Sequence, residues 1–228
     1  TGWEPAEATP DYYPNVNLTY DAIGYSNDGN GPNTGAVGAD AGGGSAGSKA
    51  KRGITYPGYK GTVWISALVK VADNSSDALL WLGGSNSNNF VAIRGKDLVL
   101  RYNGVDSKTA APVIADQTNL FLVKVVVGEG SAPDSVDFWF NPDLSQGEQG
   151  LPQPALSGSG SHIFGMADGD YLDLSAVQVS LAKVGSYIDA IRISNDADGF
   201  MKVTAVPEPA VAGLAGVISL GVLGRRHR

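Results

Sequence analysis

From Gly61 to Val71 the chain reads GTVWISALVKV, with Val63, Ile65, Ala67, Val69 and Val71 on one parity and Trp64, Ser66, Leu68 and Lys70 on the other. A period of two is the signature of a strand, because successive side chains leave a pleated backbone on opposite sides. This is where the strand pattern becomes clear, and a strand needs neighbours to pair with, which the rest of the chain must supply.

The expected neighbours follow in order. Leu18–Tyr25 reads as a short strand, and Ala78–Gly83, Phe90–Arg94 and Leu98–Tyr102 come at short intervals. Gly95-Lys96-Asp97 and Asn103-Gly104 between them are hairpin signals, since tight turns between strands need residues that tolerate positive φ. Asn119–Val127 pairs with Ser135–Asn141 around Gly128–Asp134, and Tyr171–Leu181, Tyr187–Ser194 and Gly199–Ala205 close the body. No convincing amphipathic helix interrupts them. With 31 Gly, 12 Pro and abundant Asp, Asn, Ser and Val, the composition is poor for helices and good for strands joined by turns. The expected fold class is therefore all-β, a two-sheet antiparallel sandwich of the jelly-roll kind, with a short C-terminal apolar helix. Residues 1–16 are expected as an extended N-terminal arm, residues 17–205 as the sandwich, 26–48 as a long Gly-rich loop within it, and 206–228 as a separate tail. Pro142–Ser161 reads as a further Gly- and Pro-rich loop.

The net charge of −7 argues against nucleic acid as a partner, and the absence of Cys excludes disulfides and thiolate metal sites. Stability has to come from the core.

The tail reads VPEPAVAGLAGVISLGVLGRRHR. Pro207 and Pro209, flanking Glu208, stop any strand or helix from running through. The uncharged run Ala210–Leu223 spans about 21 Å as a helix, short of a hydrocarbon core of about 30 Å. Arg225, Arg226 and Arg228 then hold that end on the cytoplasmic side of a membrane. This three-part pattern resembles the PEP-CTERM sorting tail, the recognition sequence of the exosortase system in bacteria that make extracellular polysaccharide. The resemblance implies an exported, cell-surface or extracellular protein, an exosortase-type processing enzyme as partner, transient inner-membrane contact, and a signal peptide removed before Thr1. Ala212, Gly213, Gly216 and Gly221 would let helices approach closely, so a retained tail would pack against further copies of the chain.

The body is also familiar. GTVWISALVK, the hairpin around Val91–Tyr102, LFLVKVVV at Leu120–Val127, VDFWFNP at Val136–Pro142 and IDAIRISND at Ile188–Asp196 occur in an order that resembles a family of PEP-CTERM exported proteins. Their bodies are similar to concanavalin A-like, or laminin-G-like, jelly rolls. Such motifs speak for fold and leave function open.

Catalytic candidates are scarce. Glycoside hydrolysis needs two carboxylates flanking a sugar bond, and Glu4, Glu7, Glu129, Glu148 and Glu208 form no such pair on a strand. Of the two histidines, His162 lies in a Gly/Ser stretch and His227 in the basic end, neither beside a nucleophile motif. Asp137, Trp139 and Asn141 share one strand parity, and an acid beside an exposed indole could hold a sugar by stacking and hydrogen bonding. Packing of Trp139 beneath a neighbouring loop is the preferred reading, and sugar contact its alternative. For calcium, Asp168, Asp170 and Asp173 form one cluster and Asp196 and Asp198 another, hard oxygen ligands with a Gly nearby for the turn. Turn chemistry alone also accounts for both clusters and is the preferred reading. Together these features favour a non-enzymatic structural protein of the cell surface or extracellular matrix, self-assembling into filaments through the sandwich and the tail. The alternative is a carbohydrate-binding or adhesion module of the exopolysaccharide matrix; a hydrolase comes third.

Overall fold

The computed structural model describes residues 61–82, 89–110, 113–160 and 176–205, together with Leu18 and the short strands before residue 61 and at 172–173. In chain order the strands are β1 (Glu4–Pro5), β2 (Asp11–Tyr13), β3 (Thr19–Tyr20), β4 (Tyr25–Ser26), β5 (Ala36–Gly38), β6 (Ser48–Gly53), β7 (Gly58–Tyr59), β8 (Gly61–Lys70) and β9 (Asp77–Trp81). They continue as β10 (Phe90–Arg94), β11 (Asp97–Tyr102), β12 (Val105–Ala110), β13 (Thr118–Val127), β14 (Asp134–Phe140), β15 (Leu156–Gly160), β16 (Leu172–Asp173), β17 (Ala176–Leu181) and β18 (Tyr187–Ser194). One helix, α1 (Gly199–Thr204), follows.

Two seven-stranded antiparallel sheets carry the fold. Sheet I runs β1-β6-β17-β9-β10-β11-β12, and sheet II runs β15-β14-β13-β8-β18-β5-β2. The expected two-sheet sandwich is therefore the observed one. Its interior is the odd parity of β8, Val63, Ile65, Ala67 and Val69, packed with Phe121, Val123, Val136 and Phe138 of sheet II against Leu80, Ile93 and Leu100 of sheet I. Each of these side chains is 2 % exposed or less. Turn chemistry sets the register of the hairpins: Asn103 and Gly104 both take positive φ, 47° and 77°, and leave Tyr102 opposite Val105.

Three expectations change. Gly199–Ala205, expected as a strand, is the helix α1, ended by Ala205 in the left-handed region with its N–H bonded to the Met201 carbonyl. The segment is too short for periodicity to separate helix from strand. Residues 1–16 are not a bare arm, because β1 pairs with β6 and β2 with β5, one in each sheet. The stretch expected as a 26–48 loop contains β5, and the Gly/Pro-rich 142–161 stretch contains β15. In β15 Gly158 is required by close approach: a Cβ there would lie 2.7 Å from the Tyr102 ring. The expected C-terminal apolar helix falls within 206–228, outside the described residues.

Candidate functional site

The outward side of sheet II is sealed. Trp64 and Leu68 of β8, Leu120 and Leu122 of β13 and Trp139 of β14 project from it. Leu18, Leu144, Phe200 and Val203 come down over them and close a second apolar cluster. Local chemistry brings that cover in. After Phe140 the chain turns at Asn141, whose φ of 49° suits the side chain that best tolerates the left-handed region. Its Oδ1 accepts the Leu120 N–H at 2.7 Å and its Nδ2 donates to Asn119 Oδ1 at 2.9 Å, folding 142–152 back across the strand. At the other side Ser66 Oγ donates to the Val203 carbonyl at 2.6 Å, fixing the last turn of α1.

This decides the sequence-predicted sugar contact. Trp139 is 6 % exposed, stacks on Trp64 with ring centroids 5.9 Å apart, and donates its indole N–H to the Pro152 carbonyl at 2.8 Å. Asn141 is spent on the turn, and Asp137 accepts a hydrogen bond from Ser157 Oγ at 2.6 Å. Trp139 thus packs beneath a loop, the preferred reading of the sequence, with Leu144 and α1 burying the ring from sequence positions that alternation along β14 does not see.

The acidic clusters divide similarly. Asp168, Asp170 and Asp173 lie outside the residues whose side chains are described. Asp196 and Asp198 converge on Lys202, one turn into α1; Asp196 bonds it and Asp198 Oδ1 lies 3.1 Å from Nζ. The ammonium occupies the position a cation would take between these carboxylates, and it holds the Asp196 carboxyl below its usual range. Among the described residues no cluster of three or more metal-ligating side chains forms. The tail positions Pro207, Glu208, Pro209, Ala212, Gly213, Gly216, Gly221, Arg225, Arg226 and Arg228 lie outside the described residues.

The outward side of sheet I carries a third, smaller buried cluster of Leu79, Phe90, Ala92 and Val99 with Trp81 packed against it, and sequence reading did not single it out. Strand register arranges it in rows. Trp81, Phe90 and Arg101 stand opposite one another on β9, β10 and β11, with Asp106 next on β12. The adjacent row is Leu79, Ala92, Val99 and Lys108, and beyond it Asp77, Arg94 and Asp97. Phe90 lies under two guanidinium groups, the Cζ of Arg94 5.4 Å and that of Arg101 5.1 Å from its centroid, and meets Trp81 edge to face at 5.2 Å. Such cation–π contacts bury the ring beneath side chains that themselves stay at the surface. Arg94 keeps 38 % of its side chain exposed and Lys108 52 %.

The hydrogen bonding of this face is lopsided. Arg101 grips Asp106 through both Nε and Nη2, the latter at 3.0 Å from Oδ2, and this bond holds the Asp106 carboxyl below its ordinary range. Asp77 Oδ1 accepts the Gly95 N–H at 3.1 Å. Trp81 Nε1 and Arg94 Nε are buried polar atoms with no hydrogen-bond partner among the described residues. The nearest carboxylate oxygen to Arg94 Nε is that of Asp77 at 3.9 Å, an ion pair without a hydrogen bond. Native proteins leave few buried donors unpaired, so these two beside the same ring are the polar exception on this face. The alternation FVAIR at Phe90–Arg94 is the sequence signal that could have found it.

No protein-family model matches the chain, and no curated protein matches it. Solved structures similar to it include the galectin LEC-6 of Caenorhabditis elegans, at 9 % identity and a TM-score of 0.40 over 64 % of this chain and 89 % of that one. An endo-1,3-beta-glucanase from Streptomyces sioyaensis is similar over 84 % of this chain and 88 % of its own, at 10 % identity and a TM-score of 0.45. An uncharacterized protein from Mycobacterium paratuberculosis is similar at 15 % identity and a TM-score of 0.45, over 74 % of this chain and 84 % of that one. At such identities no residue role passes from them to this chain.

Proposed function

We propose that this protein is a carbohydrate-binding module of the cell surface or extracellular matrix, with its site on the outward face of sheet I. The observation that carries the reading is the pair of unpartnered donors, Trp81 Nε1 and Arg94 Nε, beside Phe90. Sugars present both complements of such a face: C–H surfaces for an aromatic side chain and hydroxyl oxygens for donors. The reading is of a binder rather than a hydrolase. Asp106, the carboxylate beside the aromatic row, is locked by Arg101 and held ionised, which leaves it no proton to donate to a leaving group. Self-assembly through the small-residue stripe of the tail is the second reading. Export through the Pro207–Arg228 tail and processing by an exosortase-type enzyme complete the proposal and account for delivery to a polysaccharide matrix.

The test is retention of the whole chain in affinity gels cast with a panel of soluble polysaccharides. Retention by at least one polymer, lost in Trp81→Ala and kept in Trp139→Phe, is the expected result. Absence of retention across acidic and neutral polymers alike, or a Trp81→Ala protein that binds as well as the parent, would overturn the reading.

A further inference from the structure

β12 ends sheet I, and among the described residues no strand pairs with its outer edge. We propose that this edge joins a second copy of the chain, β12 against β12 antiparallel about a two-fold axis at Ser107, so that sheet I continues from one protomer into the next. The turn decides which groups face outward. Asn103 and Gly104 form a two-residue hairpin loop with Tyr102 opposite Val105, and in such a hairpin the pair beside the turn exchanges backbone hydrogen bonds. Bonding alternates from there. Ser107 and Thr109 turn their backbone groups to β11, whereas Asp106, Lys108 and Ala110 turn theirs to the open edge. An antiparallel neighbour must bond those positions, which leaves only registers two residues apart.

Charge selects among them. With Ser107 on the axis, Asp106 of each copy lies opposite Lys108 of the other, giving two ion pairs related by symmetry. One step in either direction sets Asp106 against Asp106 or Lys108 against Lys108, and like charges directly opposite destabilise a sheet. Lysine on an edge strand ordinarily discourages pairing, but here the same strand supplies the carboxylate that answers it. Lys108 is half-exposed, and its Nζ lies 3.9 Å from Asp106 Oδ2 of its own strand, beyond hydrogen-bond reach. Asp106 is meanwhile oriented at the seam by Arg101. On the other parity stands Val105, the most exposed large apolar side chain among the described residues at 57 %. It comes opposite Thr109 of the copy, a β-branched pair of the kind that packs well across strands. β15, the matching edge of sheet II, offers neither feature, since LSGSG carries no charge and two glycines. The axis is perpendicular to the sheet, so the outward sides of both copies face the same way. The row Trp81, Phe90, Arg101 and Asp106 then runs on into Lys108, Val99, Ala92 and Leu79 of the copy. A dimer so built does not depend on what that face binds, but it presents the face twice to any ligand with repeated units.

Analytical ultracentrifugation of the intact chain tests this, and the parent is expected to show a monomer–dimer equilibrium. Lys108→Pro removes an N–H that points to the open edge, where an edge strand accepts proline, so it should abolish the dimer and still melt cooperatively. Lys108→Glu turns both ion pairs repulsive and should weaken the dimer at least about tenfold. Asp106→Lys should be monomeric for the same reason. An equimolar mixture of Lys108→Glu and Asp106→Lys should dimerise again, because each chain then offers the charges the other lacks. Melting curves confirm that each variant folds. Lys108→Pro and Lys108→Glu leave the Arg101–Asp106 bond in place, so they decide the matter even where Asp106→Lys fails to fold. A parent that stays monomeric up to about 1 mM would overturn the proposal. So would oligomers that Lys108→Pro leaves unchanged, since the contact would then lie elsewhere in the chain. A Lys108→Glu protein that dimerises as tightly as the parent would overturn the register.

Discussion

Trp139 and Trp81 occupy comparable places, each on the outward side of a sheet, each against an aromatic ring, each with a cation near that ring. Trp64 lies beside Trp139 with Lys124 Nζ 4.9 Å above it; Phe90 lies beside Trp81 with Arg94 and Arg101 above it. Their surroundings diverge from there. Lys124 is bonded to Glu148 at 2.8 Å, Trp139 to Pro152, and Phe200 closes on Trp64 edge to face at 5.2 Å. On the other sheet Trp81 Nε1 and Arg94 Nε have no hydrogen-bond partner among the described residues. The difference teaches that an outward aromatic row becomes core or site according to what the chain brings back over it. On sheet II that cover is Leu144 and α1; on sheet I two arginines lie over Phe90, which is buried together with Leu79, Ala92 and Val99.

Four measurements sharpen or break this contrast. The largest effect is expected for Phe200→Ala, which empties the seal over Trp64 and should cost about 3–5 kcal/mol in denaturant unfolding. A loss below about 1 kcal/mol would mean that the helix is no part of the core. Next comes Trp139→Phe, which strands the Pro152 carbonyl and should cost about 1–3 kcal/mol. The third is the pH response of the Arg101–Asp106 bond. Its carboxyl is depressed below the ordinary 3.8 by Arg101, so its stabilising effect is complete above that value and fades as the pH falls below it. Asp106→Asn should therefore lower stability at neutral pH, by up to about 1 kcal/mol as partly exposed ion pairs do, and progressively less below pH 3.8. A constant difference across that range would contradict the assignment. The smallest effect belongs to Trp81→Phe, which removes an indole N–H with no partner among the described residues and should change stability by less than about 0.5 kcal/mol. If it costs as much as Trp139→Phe, the two faces are alike and the proposed site disappears.

The legible part of the fold was the part with alternation. β8, β10, β11, β13 and β14 could be read from their residues because apolar parity survives in each. β12 (VDSKTA) and β15 (LSGSG) carry no such parity, since both lie at sheet edges and face solvent on at least one side. α1 was hidden for another reason. GFMKVT is short and rich in residues that strands accept, and it is helical because Phe200 and Val203, three apart, both reach the Trp64 cluster. The candidate site was half legible. Asp137 and Trp139 were placed on the right strand and face, but the cover over Trp139 is tertiary. Trp81 was visible as a residue and invisible as a site, because its meaning lies in register with Phe90 and Arg101 across two hairpins.

α1 spans Gly199–Thr204 and is capped by Ala205, and residues 206–228 follow it in the chain. Any tension exerted on α1 from its C-terminal end is delivered first to Phe200 and Val203, the plugs of the sheet II cluster, and to the Ser66–Val203 hydrogen bond. The strap and the stopper are one piece. A tug strong enough to lift the helix would wet the tryptophans behind it, while the interior between the sheets and the arginine-bearing face of sheet I, on the far side, would keep their shape.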